Sequence, residues 1–440
     1  MRSPEFSRLA APLRQLSGVR SVRSLGRVAR SVGTLVESAG PLCACGDLVE
    51  IVDSASGSRQ VCEVIGFRDR NLLLMPMDQL HSVRPGDLVV PLGDGFRVPV
   101  GPAMLGRVVD GLGRPIDGKG PIKGGLRAVT GTPPAAFDRP RVTEMMPTGV
   151  KAIDAAIPCG KGQRVGIFAG SGVGKSTLMG MIARSCLSQV NVIALVGERG
   201  KEVMDFVEES LGAEGLARSI LVVATSDRTP LHRVRAADTA MAIAEYFRDQ
   251  GADVIFMIDS VTRYAMAQRE IGLSAGEPPA TRGYPPSVFA LLPRLLERAG
   301  RSQKGSITAF ATVLVEGDDM NDPIADSVRS ILDGHIVLSR RIAAGGRYPA
   351  VDVLESVSRV AKDVSSPDHL KLGRNLRKLM ASYREAEDMI NIGAYVPGSN
   401  SDIDRALKRH KPIQAFLTQD SSDKCPFQRT LEELKKVADE

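Results

Sequence analysis

The chain has 440 residues, a hydrophobic content of 43% and a formal net charge of +6. A chain of this length can bury a large core, and we expect two or three domains. It has no run of about 18 apolar residues, which argues against a membrane span. Its basic N-terminus is not followed by the apolar segment of a signal peptide, which argues against a secretory signal. Its six cysteines are scattered, so we expect free thiols in a reducing cytoplasm and no metal site made of protein ligands alone.

The start of the chain is rich in arginine. The first 30 residues hold only one acid, Glu5, against seven arginines: Arg2, Arg8, Arg14, Arg20, Arg23, Arg27 and Arg30. We predict a basic N-terminal arm over residues 1–23. Such an arm could meet an acidic partner, an anionic membrane surface or nucleic acid, or it could remain a solvated terminus.

Short alternating segments separated by turn residues follow the arm, over residues 34–38, 47–52, 60–67, 71–75 and 87–92. This spacing predicts a small antiparallel β-barrel over residues 24–98. Proline and glycine then cluster between residues 98 and 134, which indicates a long ordered connection.

Strand-like and helical patterns alternate in the central part of the chain. Apolar runs at 164–168, 190–196, 219–224, 253–258, 307–314 and 335–338 alternate with helical patterns such as 177–187 and 239–250. This order predicts an α/β domain with a mostly parallel sheet, over residues 99–365. Residues 366–440 have helical patterns only, at 370–390, 402–408 and 430–437, and are predicted to form a C-terminal helical domain.

A phosphate-binding loop follows the first of these strands. The segment Val165-Gly-Ile-Phe-Ala-Gly-Ser-Gly-Val-Gly-Lys175-Ser-Thr-Leu is an apolar strand, a glycine-rich turn and a helix start. The turn allows backbone N–H groups to face phosphates, while Lys175 reaches the β and γ phosphates and the Ser176 hydroxyl ligates Mg²⁺. The chain is therefore predicted to bind and hydrolyse a nucleoside triphosphate, with ATP expected, through Gly170, Ser171, Gly172, Val173, Gly174, Lys175, Ser176 and Thr177.

Two more strands deliver carboxylates toward the same site. Asp259 directly follows the strand predicted at 253–258 and is predicted to hold Mg²⁺ through water. Glu198 follows the strand at 190–196, and we expect it to orient or deprotonate the attacking water. Arg199 and Glu202 could position this base and the hydrated Mg²⁺, or they could be the solvated charges of a helix start.

These motifs together resemble the catalytic subunits of rotary ATP synthases and, within that superfamily, the type III protein-export ATPases. The resemblance runs from about residue 26 to 417 and rests on the phosphate loop together with Gly197-Glu-Arg, Ile258-Asp259-Ser, Tyr348-Pro-Ala-Val-Asp352 and Ser356-Val-Ser-Arg359. The loop sequence from Phe168 to Lys175, Gly66-Phe and Leu72-Leu-Leu-Met-Pro-Met77 resemble the flagellar branch. The resemblance implies a RecA-like nucleotide-binding domain between the barrel and the helices.

The resemblance also implies roles and partners. Arg359 matches the arginine finger that reaches the γ-phosphate of a neighbouring subunit, and Tyr348 matches the residue that lies against adenine. A homohexamer is implied, peripheral to the cytoplasmic face of a membrane export gate. A stator-type regulator is expected at the N-terminal arm, with a coiled-coil stalk protein and export chaperone–substrate complexes at the helical domain.

Several alternatives stay open at this stage. The chain could be the ATPase of a virulence type III secretion system or a catalytic subunit of a rotary ATP synthase, although the latter is expected to have a longer acidic helical domain. A nucleic-acid motor is disfavoured because the chain has no Trp and the barrel region has only Phe67 and Phe96 for stacking. A nucleotide-binding scaffold without turnover is expected to have lost Lys175, Glu198 or Arg359.

Overall fold

The computed structural model describes residues 24–93, 95–315, 317 and 319–439. The described chain forms two compact units, of which one ends at Phe96 and the other begins at Arg97. The predicted basic arm at residues 1–23 lies outside the described residues. The proposed domain boundaries at residues 98 and 365 stay predictions.

The first unit is a closed antiparallel barrel. Its strands are β1 (Gly26–Val32), β2 (Leu35–Ala39), β3 (Leu48–Val52), β4 (Arg59–Arg68), β5 (Asn71–Pro76) and β6 (Leu88–Gly93), in the spatial order β1-β2-β5-β4-β3-β6. Buried side chains such as Val36, Val49 and Val64 fill its core. The predicted barrel is confirmed. The prediction missed β1, in which Val28 is the only buried side chain and arginines face solvent.

The second unit contains the remaining strands: β7 (Arg97–Val100), β8 (Val108–Asp110), β9 (Gly125–Ala128), β10 (Arg164–Ala169), β11 (Val190–Val196), β12 (Ser219–Ala224), β13 (Asp253–Asp259), β14 (Gly300–Arg301), β15 (Ser306–Leu314), β16 (Gly334–Leu338) and β17 (Val351–Ser358). Strands β7 and β9 pair with each other. The main sheet has the order β17-β16-β10-β15-β13-β11-β12-β8, with β14 beside β15. Its pairs are parallel except those of β14 and β17, which confirms the predicted mostly parallel sheet.

The helices of the second unit are α1 (Lys151–Ala156), α2 (Lys175–Ser185), α3 (Gly200–Asp205), α4 (Gly212–Ala217), α5 (Pro230–Asp249), α6 (Val261–Ala275), α7 (Pro286–Leu296), α8 (Pro323–Ile331), α9 (Arg340–Ala344), α10 (Ala361–Val364), α11 (Pro367–Asn391), α12 (Ser401–Leu417) and α13 (Phe427–Ala438), with a π-helical turn at Phe206–Leu211. Helix α5 begins earlier than the predicted residue 239. The Thr229 hydroxyl caps it by accepting a hydrogen bond from the His232 N–H, and Pro230 occupies its first turn.

The helical C-terminal part, α11 to α13, confirms the predicted third element of the fold. A buried glutamine ties it to the nucleotide-binding part of the chain. The Gln419 side chain accepts a hydrogen bond from the Lys151 N–H at 2.9 Å and donates one to the Gly149 carbonyl at 2.8 Å.

None of the helices in the described ranges is both long and apolar enough to cross a membrane.

Candidate active site

The loop between β10 and α2 is shaped to receive phosphate. Gly172 and Gly174 have φ values of 78° and 90°, in the left-handed region that favours glycine. Val173 is buried and fixes the loop, whereas Ser176 and Thr177 are exposed in the first turn of α2. No described side chain caps the amino end of this helix, so its first N–H groups face outward for an anion.

Lys175 lies between two carboxylates delivered by neighbouring strands. Its Nζ is 2.5 Å from Asp259 Oδ1 and 3.5 Å from Glu198 Oε1. Burial acts to lower the pKa of Lys175, but the Asp259 and Glu198 carboxylates outweigh it and raise that pKa. The lysine is therefore held as an ammonium at the point where the loop would receive phosphates.

Asp259 is itself fixed from the intervening strand. Strand β15 separates β10 from β13, and its Thr312 hydroxyl donates to Asp259 Oδ1 at 2.9 Å and lies 3.2 Å from the Ile258 carbonyl. Asp259 is nearly buried, so its carboxylate has little freedom to turn away from Lys175.

Glu198 has the electrostatics of a base that titrates near neutral pH. Burial raises its pKa to about 7; the Asp259 and Glu202 carboxylates add to this rise, while the Lys175 ammonium opposes it. Its Oε1 is buried without a hydrogen-bond partner in the described chain. That oxygen is 3.5 Å from Lys175 Nζ, and it would have an unused lone pair for a water molecule.

The oxygen atoms near Lys175 suit a magnesium ion. The Ser176 hydroxyl and the Asp259 carboxylate are hard oxygen donors, and Glu202 lies nearby, half exposed and 3.8 Å from Arg199. In the described residues no group of three or more His, Cys, Asp or Glu side chains forms a metal cluster. Mg²⁺ at this place would therefore take its other ligands from the nucleotide phosphates and water.

Two side chains cover the ends of the phosphate loop. A Cβ atom on Gly174 would lie 3.6 Å from Cδ1 of Tyr348, whose side chain is partly exposed. A Cβ atom on Gly170 would lie 2.6 Å from Nε of Arg340, so a larger residue would require that flexible guanidinium to move. Tyr348 is thus next to the loop, where a nucleotide base could stack on its ring.

Arg359 is the one predicted catalytic residue that the structure keeps apart from the others. Strand β17 runs antiparallel to β16, and the Arg359 N–H donates to the Asp333 carbonyl beside the start of β10. The phosphate loop follows the opposite end of β10. At about 3.3 Å per residue, the length of that six-residue strand separates the two by about 16 Å. Arg359 is exposed, and no described carboxylate pairs with it.

Comparison with known proteins identifies the family. Residues 149–358 match the ATP synthase alpha/beta family, nucleotide-binding domain, and residues 365–436 match the T3SS EscN ATPase C-terminal domain. The flagellum-specific ATP synthase of Bacillus subtilis (strain 168) is 53% identical over 417 residues, covering 94% of this chain and 95% of the relative. The chain belongs to the family of flagellum-specific and type III secretion ATPases.

Other members of this family agree with that assignment. The type 3 secretion system ATPase of Xanthomonas euvesicatoria is 49% identical over 428 residues, with 97% of both chains covered. The solved structure of the assembled ATPase EscN from the enteropathogenic E. coli type III secretion system superposes with a TM-score of 0.89 at 44% identity, covering 94% of this chain and 100% of that one. The predicted resemblance, the three-part fold and the P-loop ATPase activity are confirmed.

Sequence reasoning missed two side chains of this site. Thr312 stands in a strand that was recognised from its apolar run, and a hydroxyl in a buried strand beside the phosphate loop was the available signal. Arg340 follows β16, and its approach to Gly170 depends on tertiary packing that no local pattern reveals. The predicted roles of Lys175, Glu198, Asp259, Glu202 and Tyr348 stay predictions that this arrangement supports.

We predict that Thr312→Val lowers the affinity for Mg²⁺-nucleotide and kcat/KM by about tenfold each, because Asp259 loses the hydroxyl that orients it. The matched control is Thr308→Val. Thr308 is fully buried on the same strand, but its hydroxyl accepts from the Gly162 N–H near the other end of the sheet. Both variants should lose about 1 kcal/mol of unfolding free energy. Equal nucleotide affinities in the two variants would contradict the positioning role.

Proposed function

We propose that this chain hydrolyses ATP as a subunit of a homohexameric ring, and that hydrolysis serves type III protein export during flagellar assembly. The observation that carries the proposal is the separation of Arg359 from the phosphate loop within one subunit. A finger that is exposed, unpaired in the described chain and about 16 Å along the sheet from its own phosphate loop fits a site completed by a neighbour. The 53% identity to a flagellum-specific relative, against 49% to a secretion ATPase, favours the flagellar role.

The reaction is in-line attack of water on the γ-phosphate. Phosphate oxygens would replace the Asp259 carboxylate as the partner of Lys175, which neutralises charge that develops in the transition state. Glu198 accepts a hydrogen bond from the attacking water and orients it. Ser176 and Asp259 would hold Mg²⁺, with Glu202 acting through water, and the bound ion would neutralise the β- and γ-phosphate oxygens.

Two further residues complete the site. Arg359 of the adjacent subunit approaches the γ-phosphate, and arginine fingers of this type contribute about 10³ to 10⁵ in rate. Tyr348 packs against the adenine ring, which favours a nucleotide over free phosphate without strong selection of the base.

One partner of a relative supports a proposal for this chain. EscN has been solved in complex with its central stalk EscO. We infer a coiled-coil stalk partner for this chain as well, with chaperone–substrate complexes at the C-terminal helices and a stator-type regulator at residues 1–23. The ring would be peripheral to the cytoplasmic face of the membrane export gate. Nucleic acid is not an expected partner because the chain has no Trp and few aromatic side chains for base stacking.

A mixing experiment tests the shared site. Lys175→Ala and Arg359→Ala are each expected to lose hydrolysis almost completely. In an equimolar mixture, about a quarter of the interfaces of a randomly assembled ring join an intact loop to an intact finger, so activity should partly return. The rate is measured as phosphate release at fixed total subunit concentration. No return of activity in mixtures that do assemble would refute the ring mechanism.

The raised pKa of Glu198 predicts a pH profile. The carboxylate form orients water, so kcat/KM should fall as pH drops below about 7, approaching a tenfold loss per pH unit. Glu202 contributes to this rise, and Glu202→Gln should therefore move the midpoint to lower pH. Both profiles are measured at subunit concentrations where the rate per subunit no longer changes. A midpoint near the ordinary glutamate pKa in the wild type would contradict the raised pKa of Glu198.

A further inference from the structure

The surface around Arg359 contains a cavity whose charged side chains are all cationic. This finger cavity has a volume of about 360 Å³, and its charged lining comes from Arg359, Lys362, Arg374 and Arg377. No carboxylate lines it. Four acids adjoin its lining residues in sequence but are not part of the wall: Asp154, Glu355, Asp363 and Asp368.

None of the four cations of the finger cavity forms an ion pair with a described residue, although the Asp352 and Glu355 carboxylates interact electrostatically with Arg377. Arg359, Lys362 and Arg374 are exposed, and within the described ranges none of them forms an ion pair. Arg377 donates only to backbone carbonyls, at 3.0 Å to Ser356 and 3.2 Å to Leu354. Clustered cations repel one another, so an anionic partner would stabilise this surface.

The same chain carries an acidic segment next to the phosphate loop. It runs along α3 and the π-helical turn and contains the acids Glu202, Asp205, Glu208 and Glu209, with Lys201 as its one basic residue. Glu208 and Glu209 are exposed, and neither forms an ion pair with a described residue. The segment begins directly after Glu198 and Arg199, at the site that a neighbour's finger must enter.

Close packing fixes the acidic segment to the loop helix. A Cβ atom on Gly180 of α2 would lie 2.4 Å from the Ser210 carbonyl oxygen, so helix and π turn touch backbone to backbone. Phe206 and Leu211 are buried at the ends of the turn. The exposed acids therefore keep a constant position relative to Lys175, which is what an interface beside a catalytic site requires.

We propose that the finger cavity of one subunit binds the acidic segment of the next, with Lys362 and Arg374 facing Glu208 and Glu209. This inference rests on the proposed ring, because the entry of Arg359 into the adjacent site is what brings the two surfaces together. Every subunit presents both surfaces, so the contact is head-to-tail and repeats around a closed ring. Complementary charge of this kind fixes the register of the two partners and is weakened by salt.

Charge reversal tests the contact in the full-length chain. The double variant Lys362→Glu with Arg374→Glu, and the double variant Glu208→Lys with Glu209→Lys, should each raise the subunit concentration for half-assembly at least about tenfold. Combining all four substitutions restores opposite charges across every interface and should return that concentration to within about threefold of the wild type. Half-assembly is measured by sedimentation velocity.

The control is Lys371→Glu with Lys408→Glu, two exposed lysines outside the finger cavity. It makes the same change in net charge as the cation reversal and should assemble like the wild type. The inference would be overturned if the cation reversal assembled like this control, or if the acid reversal did not change the concentration for half-assembly. It would also be overturned if the fourfold variant did not recover that concentration. Failure of the wild type to assemble at any concentration would instead refute the proposed ring.

Discussion

The direction of one strand organises the catalytic site. Strands β10, β11 and β13 are parallel to their neighbours, so their carboxyl ends meet at one edge of the sheet and bring the phosphate loop, Glu198 and Asp259 together. Strand β17 runs the other way, and Arg359 consequently leaves the sheet at the opposite edge. A single subunit thus brings Lys175, Glu198 and Asp259 together in one place and holds Arg359 elsewhere.

Electrostatics within the site depend on Lys175. Its ammonium is the counter-charge of two carboxylates that would otherwise repel each other in a poorly solvated space. If phosphates bind the lysine, Asp259 would become available to a hydrated Mg²⁺. Burial raises the pKa of Glu198 to about 7, so near neutral pH this side chain would be present in part as a carboxylate that can orient water. The Thr312 hydroxyl donates a hydrogen bond to Asp259 and so holds that carboxylate in place on the sheet. The carboxylate therefore cannot move freely with Lys175.

Much of this could be predicted from the sequence, because buried parallel strands leave long apolar runs and a phosphate loop has a local pattern. The runs at β11 and β12 were predicted residue for residue. Strand β17 was not recognised as a strand because polar residues interrupt it. The position of Arg359 at its end could therefore not be predicted. Thr312 and Arg340 act through contacts between distant segments, which no local pattern encodes.

We propose that a complete active site needs two subunits. The most direct measurement is the ATPase rate per subunit over a range of protein concentrations, with the assembled fraction determined by sedimentation velocity in the same samples. We expect the rate per subunit to rise in proportion to the assembled fraction and to become constant once assembly is complete. A rate per subunit that stays the same while monomers convert to rings would contradict the shared site, because it would mean that one chain holds every catalytic group.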